Sequence, residues 1–222
     1  MIYLFLTPSE STVCGSIIYV LVKRYPSFDL HVDSLIGDLR GNHVFVYFIV
    51  HTKPSGGDQT QSLFDMSSRT NGFTFFSDVL SYAWVANAGL AILDRPYQFL
   101  AKNYVVSGQG RLEIPSFKTP NPSSYSEQIL VVVTVQDHAI DSNFISLNYT
   151  IADIEGNVTF YGPDLSSRSH PFGSGSIEHP FLHGLVEYKM TIDYNYASSQ
   201  SQVIEVRMYS IWYHNFLPFA SN

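Results

Sequence analysis

Cysteine is nearly absent: Cys14 stands alone in 222 residues. An intramolecular disulfide is therefore excluded, the chain does not read as a disulfide-stapled secreted module, and a reducing compartment is the expectation. Charge is also scarce, at 14% of residues, and its balance is acidic, with 19 Asp and Glu against 12 Lys and Arg for a net charge of -7. No Lys/Arg run occurs anywhere, so a non-specific grip on phosphate backbone is disfavoured, as is a purely electrostatic hold on an acidic membrane. No specific nucleic-acid partner is expected. Long apolar runs are missing too. None approaches the roughly 18 residues that a spanning helix requires, and Ile17 to Val22 and Val44 to Val50 have the length of buried strands. The apolar start Met1-Ile2-Tyr3-Leu4-Phe5-Leu6 stops at Thr7-Pro8-Ser9-Glu10, too short for a signal core and without a basic start. Without a secretory signal, the glycosylation-type triplets Asn148-Tyr149-Thr150 and Asn157-Val158-Thr159 read as chance matches.

The common catalytic signatures are missing as well. Gly108-Gln109-Gly110 begins like a dinucleotide loop, but Glu113 occupies the place where the third glycine would meet the pyrophosphate. There is no Gly-x-x-x-x-Gly-Lys phosphate loop and no Gly-x-Ser-x-Gly elbow. His179 and His183 have an i,i+4 spacing, with His170 nearby, but Pro180 and Gly184 oppose the helix that two metal ligands at this spacing would need. Asp137-His138 with Asp141 and Ser142 has the residue types of a hydrolytic relay, yet neighbours on one loop do not by themselves assemble triad geometry. A non-enzyme with no catalytic, cofactor or metal site is the expectation.

What the chain does have is aromatic and β-branched residues: 16 Phe, 15 Tyr and 45% hydrophobics overall. From Gly184 onward, Val186, Tyr188, Met190 and Ile192 alternate with Leu185, Glu187, Lys189, Thr191 and Asp193, the period of two of a half-buried antiparallel strand. Val13 to Val22, His43 to Thr52, Gln128 to Gln136, Phe144 to Asp153, Asn157 to Tyr161 and Gln202 to Phe216 read as further strands, and Glu155-Gly156-Asn157 as a tight hairpin turn. Pro115 to Ser126 and Gly162 to Ser176 read as loops. Ser77-Asp78 caps a predicted helix over 77–88, with Val79, Leu80, Ala83, Trp84 and Ala88 on its apolar face. The fold expected is α+β, an antiparallel β-sheet with that helix packed on it, in a single domain over 1–222. Trp84 should be buried against the sheet, and Trp212 buried beside Ile204, Val206 and Met208.

Four segments in one order resemble the matrix proteins of rhabdoviruses. They are Asn42 to Phe48, Phe75 to Tyr82, Arg95-Pro96-Tyr97-Gln98-Phe99-Leu100, and His179-Pro180-Phe181 with Gly184 to Ile192. The resemblance spans residues 42–193 and leaves 1–41 as a divergent N-terminal segment. It implies a viral matrix protein that self-associates, bridges nucleocapsid and envelope, and supports assembly and budding. Its implied partners are other copies of itself, the viral nucleocapsid, the viral glycoprotein tail and, peripherally, the inner membrane face, with a location in the virion beneath the envelope and in the host cytoplasm. The chain departs from that family in lacking a Lys-rich arm, Pro-Pro-x-Tyr and Pro-Thr/Ser-Ala-Pro. Tyr3 and Leu6 fit a looser late-domain pattern, and Ile114, Pro115, Phe117 and Tyr125 are the candidate self-association residues. The alternative is a ligand- or glycan-binding β-domain with aromatic residues around a concave face, or a viral capsid or shell subunit. A single twisted sheet would favour the matrix reading, and a two-sheet sandwich the alternatives.

Overall fold

The computed structural model describes residues 13–28, 30–78, 82–166 and 173–213. Its first part alternates strand and helix: β1 (Ile17–Val22), α1 (Asp33–Gly41), β2 (Phe45–His51), α2 (Gln61–Arg69) and β3 (Thr74–Ser77). The three strands lie in the order β1-β2-β3 and are parallel, with Ile17 opposite Phe45 and Phe48 opposite Thr74. A parallel strand between two helix layers must be apolar on both faces, which is what the run Phe45-Val46-Tyr47-Phe48-Ile49-Val50 provides. On one face, Val46, Phe48 and Val50 pack with Leu35, Ile36 and Leu39 of α1 and Met66 of α2. Val32, Leu35, Ile36 and Leu39 make an i, i+3, i+4, i+7 stripe, and Asp33 in the first turn and Arg40 in the last complement the helix dipole. On the other face, Tyr47, Ile49, Phe73 and Phe75 meet Val85 and Ala86 of α3 (Tyr82–Gly89) and Ile92 of α4 (Ala91–Asp94).

The second part is a β-sandwich. One sheet has the order β11 (Gly175–Glu178), β7 (Leu130–Thr134), β14 (Gln202–Ser210), β4 (Tyr97–Val106). The other has β10 (Leu165–Ser166), β8 (Phe144–Asp153), β13 (Glu187–Tyr196), β5 (Gln109–Lys118), with β9 (Val158–Tyr161) also on β8. Within these two sheets all pairings are antiparallel. The short pair β6 (Ser126–Gln128) and β12 (Phe181–His183) prolongs the β7/β11 ladder past a break at Ile129, whose N–H reaches the Pro180 carbonyl. The sheets pack face to face through Val131, Val133, Ile204, Val206 and Met208 on one side and Leu147, Ile151, Tyr188, Met190 and Ile192 on the other. The alternation read along Val186 to Asp193 is thus real, and Gly156, at φ 96, closes the β8/β9 hairpin as expected.

The two parts are joined by a second apolar layer and one buried ion pair. Leu130, Val132, Ile177 and Tyr209, on the outer face of the four-stranded sheet, pack against Tyr47, Phe73 and Phe75. Beside them on β14, Arg207 and Glu205 are fully buried, with Arg207 Nη2 donating to Glu205 Oε1 at 2.9 Å. Arg207 also donates through Nε to the Gly72 carbonyl at 2.7 Å and through Nη1 to the Lys102 carbonyl at 2.8 Å. Burial pushes the Glu205 carboxyl up, and the Arg207 charge, Ser68 and Thr134 oppose that rise.

Several expectations are corrected here. Strands hold 46% of the described residues and helices 16%, so the fold is dominated by sheet, and besides antiparallel sheets it contains a parallel one. Ser77 is the last residue of β3, the Tyr82 N–H donates to the Asp78 carbonyl at 2.9 Å, and Val79 and Leu80 lie outside the described residues. The buried face of α3 is Val85, Ala86 and Gly89, which turns Trp84 outward at 53% exposure. Trp212 lies beyond the end of β14 and is 39% exposed, although Ile204, Val206 and Met208 are in the core as expected. The stretch from Pro115 to Lys118, read as loop, is the end of edge strand β5, where a proline costs no ladder bond that a central strand would need.

Truncating one member of a buried ion pair strands its partner's charge, so Arg207→Ala should destabilise the protein by about 3–5 kcal/mol. Urea unfolding monitored by circular dichroism checks this; a loss under about 1 kcal/mol, the range of a surface pair, would show that the pair does not hold the two parts together.

Candidate functional site

Where the four-stranded sheet ends, β4 starts, β14 finishes and the β6/β12 pair begins, so residues from four segments meet. Arg95, just before β4, donates from Nε to the Gln128 carbonyl at 2.8 Å and from Nη2 to Gln128 Oε1 at 2.6 Å. Phe181, 61% exposed, is the register partner of Gln128. Tyr97 is the register partner of Ser210, and its ring meets that of Tyr213 edge-on with centroids 5.6 Å apart. Ser210 donates its hydroxyl to Glu127 Oε1 at 3.0 Å and accepts the Trp212 backbone N–H at 3.0 Å. The sheet end thus gathers the Arg95–Gln128 pair with the exposed ring of Phe181, and the buried Glu127 and Ser210 with the exposed rings of Tyr97, Trp212 and Tyr213.

The electrostatics of this end are set by partial burial. Desolvation raises the Glu127 carboxyl above its ordinary range, while hydrogen bonds from Ser210 and Trp212 and the Arg95 charge pull it back. Burial and, secondarily, Arg95 lower the His179 imidazole, which favours its neutral form. Arg95 and Gln128, both only partly buried, bring guanidinium and amide groups that supply donors and an acceptor at this end, while Glu127 is buried.

The residues singled out from sequence fare differently. Ile114 and Phe117 are core residues, 3% and 8% exposed, so they offer almost no surface for self-association. Pro115 and Tyr125 are exposed. Ile114 and Pro115 instead help line an open depression of about 360 Å³ with Glu113, Ser116, Lys189 and Thr191, at the bulge where Pro115 and Ser116 of β5 stand opposite Lys189 of β13. No aromatic side chain lines it. Tyr3, Leu6 and His170 lie outside the described residues. His183 Nδ1 sits 3.2 Å from the Ser124 carbonyl, and no group of three His, Cys, Asp or Glu side chains suited to a metal ion occurs among the described residues. The aromatic end went unnoticed because its members are spread from residue 95 to 213 and each looks like an ordinary strand aromatic.

Residues 102–211 match the model described as Domain of unknown function (DUF7154), a span that begins inside β4 and ends one residue past β14. No curated protein matches the sequence. Among solved structures, infectious bursal disease virus, Gx strain, is similar at 9% identity and a TM-score of 0.32, over 55% of this chain and 35% of that one. The VP2 subviral particle of the same virus gives 9% and 0.29 over 55% and 35%. BtGH115A, a GH115 4-O-methyl-α-glucuronidase with specificity for decorated arabinogalactans, gives 16% and 0.28 over 50% of this chain and 14% of that one. The chain thus spans about a third or less of the length of each, and scores at this level do not establish a shared fold.

The relay residues are close together but wrongly arranged for a nucleophile. His138 Nδ1 is 2.7 Å from Asp137 Oδ1 and Nε2 is 3.3 Å from Asp141 Oδ2, so carboxylates occupy both ring nitrogens. The hydrogen bond to Asp137 is the main cause that raises the imidazole above its ordinary value, with burial opposing and Asp141 adding. The same loop sends Ala139 to the α/β core and Ile140 to the sandwich core. A raised folded-state value stabilises the fold fully below the unfolded His value of about 6.5, and that stabilisation fades as pH rises through the folded value. Urea midpoints should therefore fall as pH is raised from about 6 to about 9, and fall less in His138→Gln. Equal slopes in the two proteins would show that the clip does not couple to folding.

Proposed function

We propose that this chain is a non-catalytic recognition protein whose sandwich binds a carbohydrate at the aromatic end. The observation that carries the reading is the gathering at one sheet end of the partly buried Arg95–Gln128 pair and the exposed rings of Tyr97, Phe181, Trp212 and Tyr213. A sugar ring has an apolar C–H face and an edge of hydroxyl groups. Aromatic rings bury the first at low entropic cost, and planar polar groups of fixed direction pair with the second. Gln128 holds Arg95 in place and keeps its own amide N–H groups for a ligand, so the polar half of the site is organised before binding. The two-sheet sandwich is the topology expected of a binding β-domain or a shell subunit, and not the single twisted sheet expected of a matrix protein. The matrix reading, with its nucleocapsid, glycoprotein-tail and membrane partners, rests on sequence resemblance alone.

Titration with a panel of neutral and acidic oligosaccharides, followed by Trp fluorescence and calorimetry, tests the proposal. Trp212→Ala and Tyr213→Ala should each weaken binding by about tenfold or more, roughly 1.4 kcal/mol, while Trp84→Ala on the opposite part leaves it unchanged. Absence of binding across the panel, or binding indifferent to Trp212 and Tyr213, would refute it.

A further inference from the structure

The sheet edges of this molecule differ sharply in how they are protected. Beyond β3 lies Ser174, whose hydroxyl accepts the Phe76 N–H at 2.9 Å and whose own N–H donates to the Phe76 carbonyl at 3.0 Å. Edge strand β5 carries Arg111, Glu113, Pro115 and Lys118, and edge strand β4 carries Lys102 and Asn103, the residue types that discourage strand addition. Edge strand β1 has none of these. Its sequence Ile17-Ile18-Tyr19-Val20-Leu21-Val22 is wholly apolar, its one pairing among the described residues is with β2, and Leu21 stands 54% exposed.

From this contrast we infer that β1 is a docking edge and that its occupant is the β1 strand of a second copy of this chain. Ile18, Val20 and Val22 face the layer of α1 and α2, while Ile17 and Tyr19 face that of α3. A strand added there must be apolar on both faces, because each side of the extended sheet is flanked by helices. A free peptide of alternating polarity does not meet that demand, and β1 itself does. A two-fold axis normal to the sheet pairs β1 with β1 antiparallel and keeps like faces together, giving the continuous order β3-β2-β1-β1-β2-β3. Charge allows it: Val13, Cys14, Gly15 and Ser16 precede β1, and Lys23 and Arg24 follow it. Antiparallel pairing sets each copy's basic pair beside the other's uncharged end, with no like charges opposed.

Sedimentation of the full chain across a range of concentrations, paired with hydrogen exchange, tests this. The wild type should form a dimer in which the outward amides of β1 become protected. Leu21→Lys should weaken dimerisation at least tenfold with an unchanged circular dichroism spectrum, since that side chain is exposed in the monomer. Ile145→Lys, an exposed position on β8, should leave the dimer intact and controls for a general charge effect. A monomer at all concentrations overturns the inference. So does a dimer that survives Leu21→Lys with β1 amides exchanging freely.

Discussion

The guanidinium of Arg207 is the group on which the rest of this architecture depends. It is wholly buried, and its donors are spent on the Asn71, Gly72, Lys102 and Val206 carbonyls and on the Glu205 carboxylate. A desolvated charge is tolerated only where its hydrogen bonds are satisfied, so this arrangement admits one docking of the loop after α2 onto β14 and penalises others. Gly72 is part of the same constraint, because a Cβ there would lie 1.7 Å from the Val46 carbonyl oxygen. Asn103 reaching Ser68 Oγ at 2.9 Å and Gln98 reaching the Asn71 carbonyl at 2.9 Å extend the seam around it.

That docking decides which surfaces remain for partners. It covers the outer face of the four-stranded sheet, so β7 is apolar on both sides and β14 buries the Glu205–Arg207 pair beside Tyr209, and it closes the β3 edge. The other sheet keeps a solvated face laced with cross-strand polar pairs: Arg111 with Asp193, Thr150 with Thr191, Ser116 with Glu187. Such pairs hold a sheet together and leave its face wet. Four exposed rings, Tyr97, Phe181, Trp212 and Tyr213, remain at the end where β4 begins and β14 finishes, and unprotected edge area at β1. Both proposed recognition surfaces lie where neither packing nor polar laddering has closed the molecule.

Legibility in the sequence followed the physics of each element. Strands β8 and β13 were readable because one face of each is core and the other is not, which writes a period of two into the residues. Helix α1 carries a full apolar stripe, but Gly37 and Gly41 weaken its propensity. Helix α2 buries Ser62, Ser67 and Ser68 beside Phe64 and Met66, and Ser67 bonds to Thr74 at 2.6 Å; a buried serine carries no hydropathy signal of its own. Trp84 obeyed the helical spacing and still pointed outward, because Val85, Ala86 and Gly89 fit the close approach to Tyr19, where a Cβ on Gly89 would meet the hydroxyl at 2.2 Å.

By itself the sequence determined that the chain would be rich in sheet, with an acidic balance and no disulfide, and where several strands and one hairpin would lie. Those properties are local or additive, and composition and period carry them. Tertiary structure alone decided that β1, β2 and β3 run parallel, that two further sheets close into a sandwich, and that Arg207 and Glu205 end inside. It alone brought Arg95, Glu127 and Gln128 to the same sheet end as Tyr97, Phe181, Trp212 and Tyr213. An apolar run has the same composition whichever way its neighbour points, and residues far apart in the chain become a site only when long-range packing sets them side by side.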